Sequence, residues 1–268
     1  MTEVWHDETT IRLSAFLGAL VILAVAERVF PRRARRANWL VRWPSNLGIV
    51  VVSQFLVRLL MPLVPVALAA LARERGWGLF NVVDLPGWLA FLAAVLLQDM
   101  AIYWQHVAFH RVRQLWLFHR MHHTDLDIDV TTALRFHPVE ILASVVWKLV
   151  VVLALGPSPA AVLVFEILLN GCAMFNHANL ALPLGLDRYL RLLVVTPDMH
   201  RVHHSTDMRE ANSNYGFNFP WWDRLFRTYI PQPKAGHTEM PIGLNIFRDP
   251  KYLWLHWLLA IPFVKGRP

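Results

Sequence analysis

The sequence holds a single cysteine, Cys172, so no disulfide can close within the chain. Cys172 lies in an apolar run and reads as a small buried residue, not a reactive thiol. Charge is also scarce: 17% of residues are charged and 56% are hydrophobic, too apolar a balance for an ordinary soluble domain. The first ten residues lack the basic start of a cleavable signal peptide. The formal net charge is +7, yet no stretch matches a nucleic-acid-binding module. Carboxylates at metal-binding spacing are nearly missing. Glu3 to His6 is the only Glu-x-x-His, at a polar end with no cluster around it, which argues against the glutamate-rich two-metal bundles. Tandem repeats and low-complexity linkers are missing too, so residues 1–268 are expected to form one membrane domain.

Long apolar runs are abundant. Ile11 to Phe30, Asn46 to Ala72 and Pro86 to Gln105 are each long enough to cross about 30 Å of hydrocarbon as a helix. Val139 to Leu155 and Ala160 to Phe175 flank Gly156-Pro-Ser-Pro159, a turn signal, and read as a hairpin entering and leaving the membrane from one side. The expected fold is all-α, an integral membrane bundle of about four transmembrane helices with a histidine-rich helical cap. Arg32, Arg33, Arg35 and Arg36 follow the first run and mark a cytoplasmic end. With the N-terminus outside, residues 31–45, 105–138 and 177–268 lie inside, and they hold most of the arginine and lysine. Glu27 and Arg28 are expected to reach the interface, and Arg58 to snorkel or to form a structural ion pair. Trp221 and Trp222 read as interfacial anchors.

Histidine is the unusual component. Eight of thirteen fall in three clusters: His106 and His110; His119, His122 and His123; His200, His203 and His204. Positions i, i+3 and i+4 share one face of a helix, so each cluster presents its imidazoles together. Neutral imidazole suits iron, zinc, copper and nickel. Eight imidazoles exceed one tetrahedral site, so the number points to two metals. The topology puts all three clusters at one membrane face, together with His177 at the end of the hairpin. Asp125, Asp127 and Asp129 form an acidic loop in which at least two of the three are expected to be solvated turn or cap residues, with support of a ligand histidine as the alternative. His6, His237 and His256 are expected at the surface or interface.

The series His-x-x-x-His, His-x-x-His-His, His-x-x-His-His on a multi-span scaffold resembles the fatty acid hydroxylase/sterol desaturase superfamily. The resemblance rests on the eight clustered histidines, with Arg135-Phe-His137-Pro138 and Asn176-His177-Ala-Asn179 as further matching segments, and covers roughly residues 95–230. It implies two iron ions, O2 as co-substrate, and hydroxylation or desaturation of an unactivated C–H bond in a membrane lipid. It also implies His177 as a ninth ligand. Ala173 and Ala181 flank it at helical spacing, so no further His-x-x-x-His pair forms there. His137 could fill that gap, or could instead start a helix bonded to backbone. Asp99 and Asp198 are the candidates to balance the metal charge from behind the ligands. No His-Pro-Gly-Gly segment is present, so electrons are expected from a separate ferredoxin-like or cytochrome b5-like protein. Arg111, Arg113, Arg120 and Arg201 could dock such an acidic carrier or bind anionic lipid headgroups. Two other classes stay open on residue types alone: a multi-span metal transporter, and a membrane zinc hydrolase. Zinc would fit the same ligands, and sterol, fatty acyl chain, alkyl ether lipid and carotenoid all fit an apolar pocket.

Overall fold

In the computed structural model, the backbone is described from Thr2 to Gly266 and side chains from Glu8 onward. His6 lies outside the described side chains. Among the described residues every regular element is a helix, and extended pairing is limited to two isolated β-bridges, Pro31 to Leu180 and Ser205 to Ile242. Ten helices lead to the last histidine cluster: α1 Thr2–Val29, α2 Trp39–Leu60, α3 Pro65–Arg75, α4 Leu79–Val82, α5 Gly87–Arg111, α6 Arg113–His123, α7 Pro138–Leu155, α8 Pro159–His177, α9 Leu184–Leu190 and α10 Pro197–His203.

Five helical stretches are long and apolar enough to cross a membrane: Glu8–Val29, Trp39–Val82, Gly87–Arg111, Pro138–Leu155 and Pro159–His177. The second is broken, unlike the single span expected over Asn46 to Ala72. Pro62 and Pro65 cannot donate to a helical ladder, and α2 stops at Leu60 before α3 restarts with Pro65 at its first position. The hairpin forms as its punctuation requires. His137 accepts from Val139 N to cap α7, and Gly156, at φ 61°, closes it. Ser158 then caps α8 through Ala161 N.

The packing is inside-out relative to a soluble protein. Arg42, Ser45, Asn46, Ile49, Ser53 and Val57 make the buried stripe of α2, while Val51, Phe55 and Leu59 are exposed. Leu13, Leu17, Val21, Ile22 and Val25 of α1 are likewise exposed, as expected for surface that meets lipid tails. α1 packs on α8, α5 on α6 and α8, α2 and α3 on α7, and α10 on α8. Lys148 of α7 and Arg12 of α1 both pair with Glu166 of α8, so charge inside the bundle is neutralised locally.

Two expectations about charge are corrected. Glu27 does not reach an interface. It is fully buried and accepts from Val130 N at 3.0 Å, Asn179 N at 2.9 Å and Arg35 at 2.8 Å, tying the end of α1 to the end of α8. Arg28 is exposed and stacks over the Trp39 ring. The acidic loop is not a solvated turn. Asp125, Asp127 and Asp129 are all buried. Asp125 receives a two-pronged bond from Arg42 at 2.6 and 2.9 Å, Asp129 pairs with the same guanidinium, and Asp127 caps the backbone NH groups of Arg36 and Ala37. None of the three touches a histidine. They lock the segment after α6 onto the start of α2. Arg58 lies exposed in the last turn of α2.

Candidate metal centre

α5 and α8 run toward one end of the bundle and α7 runs away from it, so His106, His110 and His177 arrive beside Glu140 in the first turn of α7. α6 turns back directly after α5 through the extended residue Val112, and α10 packs on α8. The imidazoles carried by these helices form two groups. His106, His110, His119, His123 and His203 make one; His122, His177, His200 and His204 make the other. Within each group the nearest ligand atoms lie within 4.8 Å of one another.

The two His-x-x-His-His clusters are divided between the groups in a reciprocal way. Residues i and i+4 of the first, His119 and His123, join the five-membered group, and His122 crosses to the other. In the second, His200 and His204 stay in the four-membered group and His203 crosses. The groups share a wall: the rings of His123 and His204 stack with centroids 4.7 Å apart.

Four rings have their outer nitrogen fixed. His119 Nδ1 donates to Glu140 Oε1 at 2.6 Å, His106 Nδ1 to Tyr215 O at 2.8 Å, His203 Nδ1 to Ser213 O at 2.7 Å, and His177 Nδ1 to Ala173 O at 2.7 Å. For His106, His203 and His177 the partner is a carbonyl oxygen, which only accepts, so the proton sits on Nδ1 and the Nε2 lone pair faces inward. His106 Nε2, His203 Nε2 and both nitrogens of His110 and His204 are buried without a hydrogen-bond partner. Nε2 pairs from His119 and His123, His122 and His177, and His177 and His200 each stand 3.2 Å apart. Two nitrogens each about 2.0–2.1 Å from a shared ion lie about 2.9–3.4 Å apart between square and tetrahedral angles. The donor set therefore fits two metal ions, ligated almost wholly by neutral nitrogen.

Electrostatics agree. Burial first, and then neighbouring imidazoles, push His119, His122, His123, His200, His203 and His204 well below the ordinary 6.5. The rings stay neutral and ready to ligate. Unfolded histidines take up protons that these folded ones refuse, so stability rises with pH wherever the unfolded chain binds more protons. The metal-free protein is thus expected to keep its stability above 6.5 and to lose it progressively as pH falls below that value. Unfolding midpoints of the apo-protein in detergent, followed from about pH 8 to about pH 5, check the sign.

Aromatic side chains wall the site. Phe136 stacks on His122 at 4.4 Å, Phe217 leans on His106 at 5.0 Å, and Trp116 contacts His110 at 5.1 Å. The expected charge-balancing aspartates lie elsewhere. Asp99 accepts from Trp222 Nε1 at 2.7 Å and Phe219 N at 3.3 Å, pinning α5 to the loop after α10. Trp222 is thus half-buried and tied to α5, while Trp221 is exposed and donates to Leu192 O. Asp198 pairs with Arg32 and Arg201 and faces His237, which is buried and not superficial. His256 is exposed. His137 joins neither group. Its Nδ1 caps α7 and its Nε2 faces Leu259 O at 3.3 Å. Arg120 is spent on Ile261 O and Val264 O, and Arg201 on Asp198, so of the four arginines proposed to dock a carrier only Arg111 and Arg113 are exposed.

Glu140 is the carboxylate that does reach a ligand. Only its place after a helix-starting proline is visible in the sequence. A carboxylate behind a ligand histidine fixes ring orientation and raises its basicity. Glu140→Gln is expected to weaken metal binding about 10–100-fold, measured by competition with a chelator. An unchanged affinity would remove Glu140 from the site.

Comparison with known proteins points the same way. Alkylglycerol monooxygenase of Danio rerio is 32% identical over 192 residues, 68% of this chain and 41% of that protein. The Xenopus tropicalis alkylglycerol monooxygenase is 31% identical over 178 residues, 64% of this chain and 38% of its own. An ornithine lipid hydroxylase of Rhizobium tropici is 28% identical over 148 residues, 55% and 44% of the two chains. The chain thus spans about two fifths of the length of these curated relatives. No solved structure matches it significantly. The fatty acid hydroxylase model matches residues 91–228, just over half of the 268 residues. That stretch contains all nine converging imidazoles together with Glu140, and the chain belongs to the fatty acid hydroxylase family.

Proposed function

We propose that this chain is an O2-dependent oxidoreductase that hydroxylates or desaturates a C–H bond of a membrane lipid at a pair of iron ions. The observation that carries the reading is the convergence of nine neutral imidazoles into two adjoining groups at one end of an apolar, multi-helix bundle. Lipid hydroxylation by the related proteins supports the reaction class. Two irons held there would supply O2 activation and hydrogen abstraction from an unactivated carbon.

The chain's own contribution is positioning and exclusion. His106, His110, His119, His123 and His203 hold one ion, and His122, His177, His200 and His204 hold the other. Glu140 and the carbonyls of Tyr215, Ser213 and Ala173 keep the rings turned inward. Phe136, Phe217 and Trp116 deny water a place beside the reacting carbon. The lipid enters from the bilayer, where the helices already present apolar side chains. The arginine-rich segment after α1 argues that the histidine end faces the cytoplasm. Electrons come from a separate carrier docking on that face. Placement at helix ends also weighs against a transporter, whose ion sites sit near mid-membrane on broken helices.

The test is isotopic. Purified protein in lipid nanodiscs, supplied with a reductant and labelled O2, is expected to yield hydroxylated lipid carrying the label, with about two irons per chain. Turnover without O2 or reductant, or hydroxylated product with unlabelled oxygen, would overturn the reading.

A further inference from the structure

The wall of the five-histidine group includes a phenol that can be oxidised. Tyr215 is fully buried, and its ring lies 5.1 Å from His110, 5.5 Å from His106 and 5.6 Å from His203. Its hydroxyl donates to Asn212 Oδ1 at 3.3 Å, and its ring also meets Tyr103 on α5, with centroids 6.2 Å apart. Tyr103 in turn lies 5.4 Å from Trp104, which is 44% exposed. Phe226 stacks on Tyr103 at 5.4 Å and touches Trp104 at 4.7 Å, closing the cluster. Only five tyrosines occur in the chain, and two of them stand in this line.

The Tyr103 hydroxyl has a directed outlet. Thr228 Oγ1 donates to Asp223 Oδ1 at 2.7 Å, so its own hydrogen is committed and the 2.9 Å contact with Tyr103 is donation from the phenol. Asp223 is buried and also accepts from the backbone NH groups of Tyr215 and Gly216 at 2.8 and 2.9 Å. One carboxylate therefore holds the Tyr215 loop against the histidines and terminates the hydrogen-bond chain from Tyr103. Phenols oxidise readily only when the proton can leave with the electron, and this arrangement supplies that route.

We propose that Tyr215, Tyr103 and Trp104 form a redox relay that drains oxidising equivalents from the metal centre to the bundle surface when no lipid is bound. The inference rests on the oxygenase reading above. The oxidant is the metal centre after reaction with O2. Tyr103 gives it one electron through the Tyr215 ring and passes its phenolic proton to Thr228 as Thr228 passes its own to Asp223. The products are a neutral Tyr103 phenoxyl, a protonated Asp223 and a centre reduced by one electron. Trp104 then gives one electron to Tyr103, the proton returns from Asp223 through Thr228, and a surface reductant such as ascorbate or a thiol restores Trp104. α5 places Trp104 seven residues from its histidine-bearing end, about 10 Å along the helix. That depth suits an indole near the membrane interface.

The experiment uses the full chain, loaded with iron in nanodiscs, reduced, then mixed with O2 without a lipid substrate and freeze-quenched. Iron oxidation is followed by Mössbauer spectroscopy and protein radicals by electron paramagnetic resonance. The wild type is expected to give a tyrosyl signal that falls several-fold in Tyr103→Phe and in Thr228→Val, with iron content unchanged. Tyr252→Phe, remote from the line, is expected to keep it, and Trp104→Phe to prolong it. Oxidised histidine and methionine in peptides containing residues 119–123 and 199–204 are expected to increase several-fold in Tyr103→Phe. Iron oxidation with the same radical yield and the same damage in Tyr103→Phe would overturn the relay alone. A signal that survives Tyr103→Phe and vanishes in Trp116→Phe would overturn it too, placing the exit at Trp116. If O2 fails to oxidise the iron even in the wild type, the oxygenase reading falls and the relay with it.

Discussion

Replacing His177 and His200 together with alanine is expected to cut iron from about two to about one ion per chain and to abolish lipid oxidation. The four-membered group would keep only His122 and His204, too few donors to retain an ion, while the five-membered group loses no member. His177 is central to its group: its Nε2 stands 3.2 Å from the Nε2 atoms of both His122 and His200. His137→Ala is the matched control, since that ring caps α7 and faces a backbone carbonyl. It is expected to keep both irons and near-normal turnover. Metal analysis of the purified variants, with product measured by mass spectrometry, decides the matter. Two irons remaining in the double variant, or iron lost in His137→Ala, would refute the assignment of these rings.

The second large effect concerns Arg42. It is buried between Asp125 and Asp129, also buried, and its guanidinium additionally donates to Thr132 Oγ1 at 2.9 Å. Removing one partner of a buried ion pair leaves an uncompensated charge and costs about 3–5 kcal/mol. Arg42→Met should therefore lower stability by about that amount, read from denaturant unfolding in detergent micelles. Arg42→Lys should recover little, because an ammonium cannot reproduce the fork on Asp125. Because Asp125 follows His123 by two residues, iron retention is expected to fall alongside stability. A wild-type unfolding curve for Arg42→Met would refute the role given to this cluster.

Much of this was legible in the residues. Helical spacing alone indicates which imidazoles share a face, and hydrophobic runs bounded by proline, glycine and serine delimit α5, α7 and α8 closely. The break at residues 61–64 was also written in Pro62 and Pro65, but a continuous apolar stretch outweighed it. What spacing cannot convey is which ion a ring serves. His122 and His203 share a helix with their cluster mates yet cross to the other group, because the approach of α6 and α10 is set by packing. Carboxylate partners were equally hidden. Asp99 lies on the histidine-bearing helix and Asp198 beside the last cluster, yet both are drawn off by Trp222 and by arginines, whereas Glu140 reaches His119 from twenty-one positions away. Arg120 reads as surface charge because its partners, Ile261 O and Val264 O, are distant in sequence, whereas Arg201 pairs with Asp198 only three residues earlier on α10.

The reciprocal sharing of rings has a consequence for biosynthesis. A nascent chain emerges from its N-terminal end, and neither ion finds its full set until His200, His203 and His204 have left the ribosome and folded back. The tyrosine and serine carbonyls that orient His106 and His203 come later still, at Tyr215 and Ser213. On the proposed reading, metal capture would be a late, post-insertion event, and a chain truncated before residue 215 is expected to sit in the bilayer with its imidazoles gathered but its metals unclaimed.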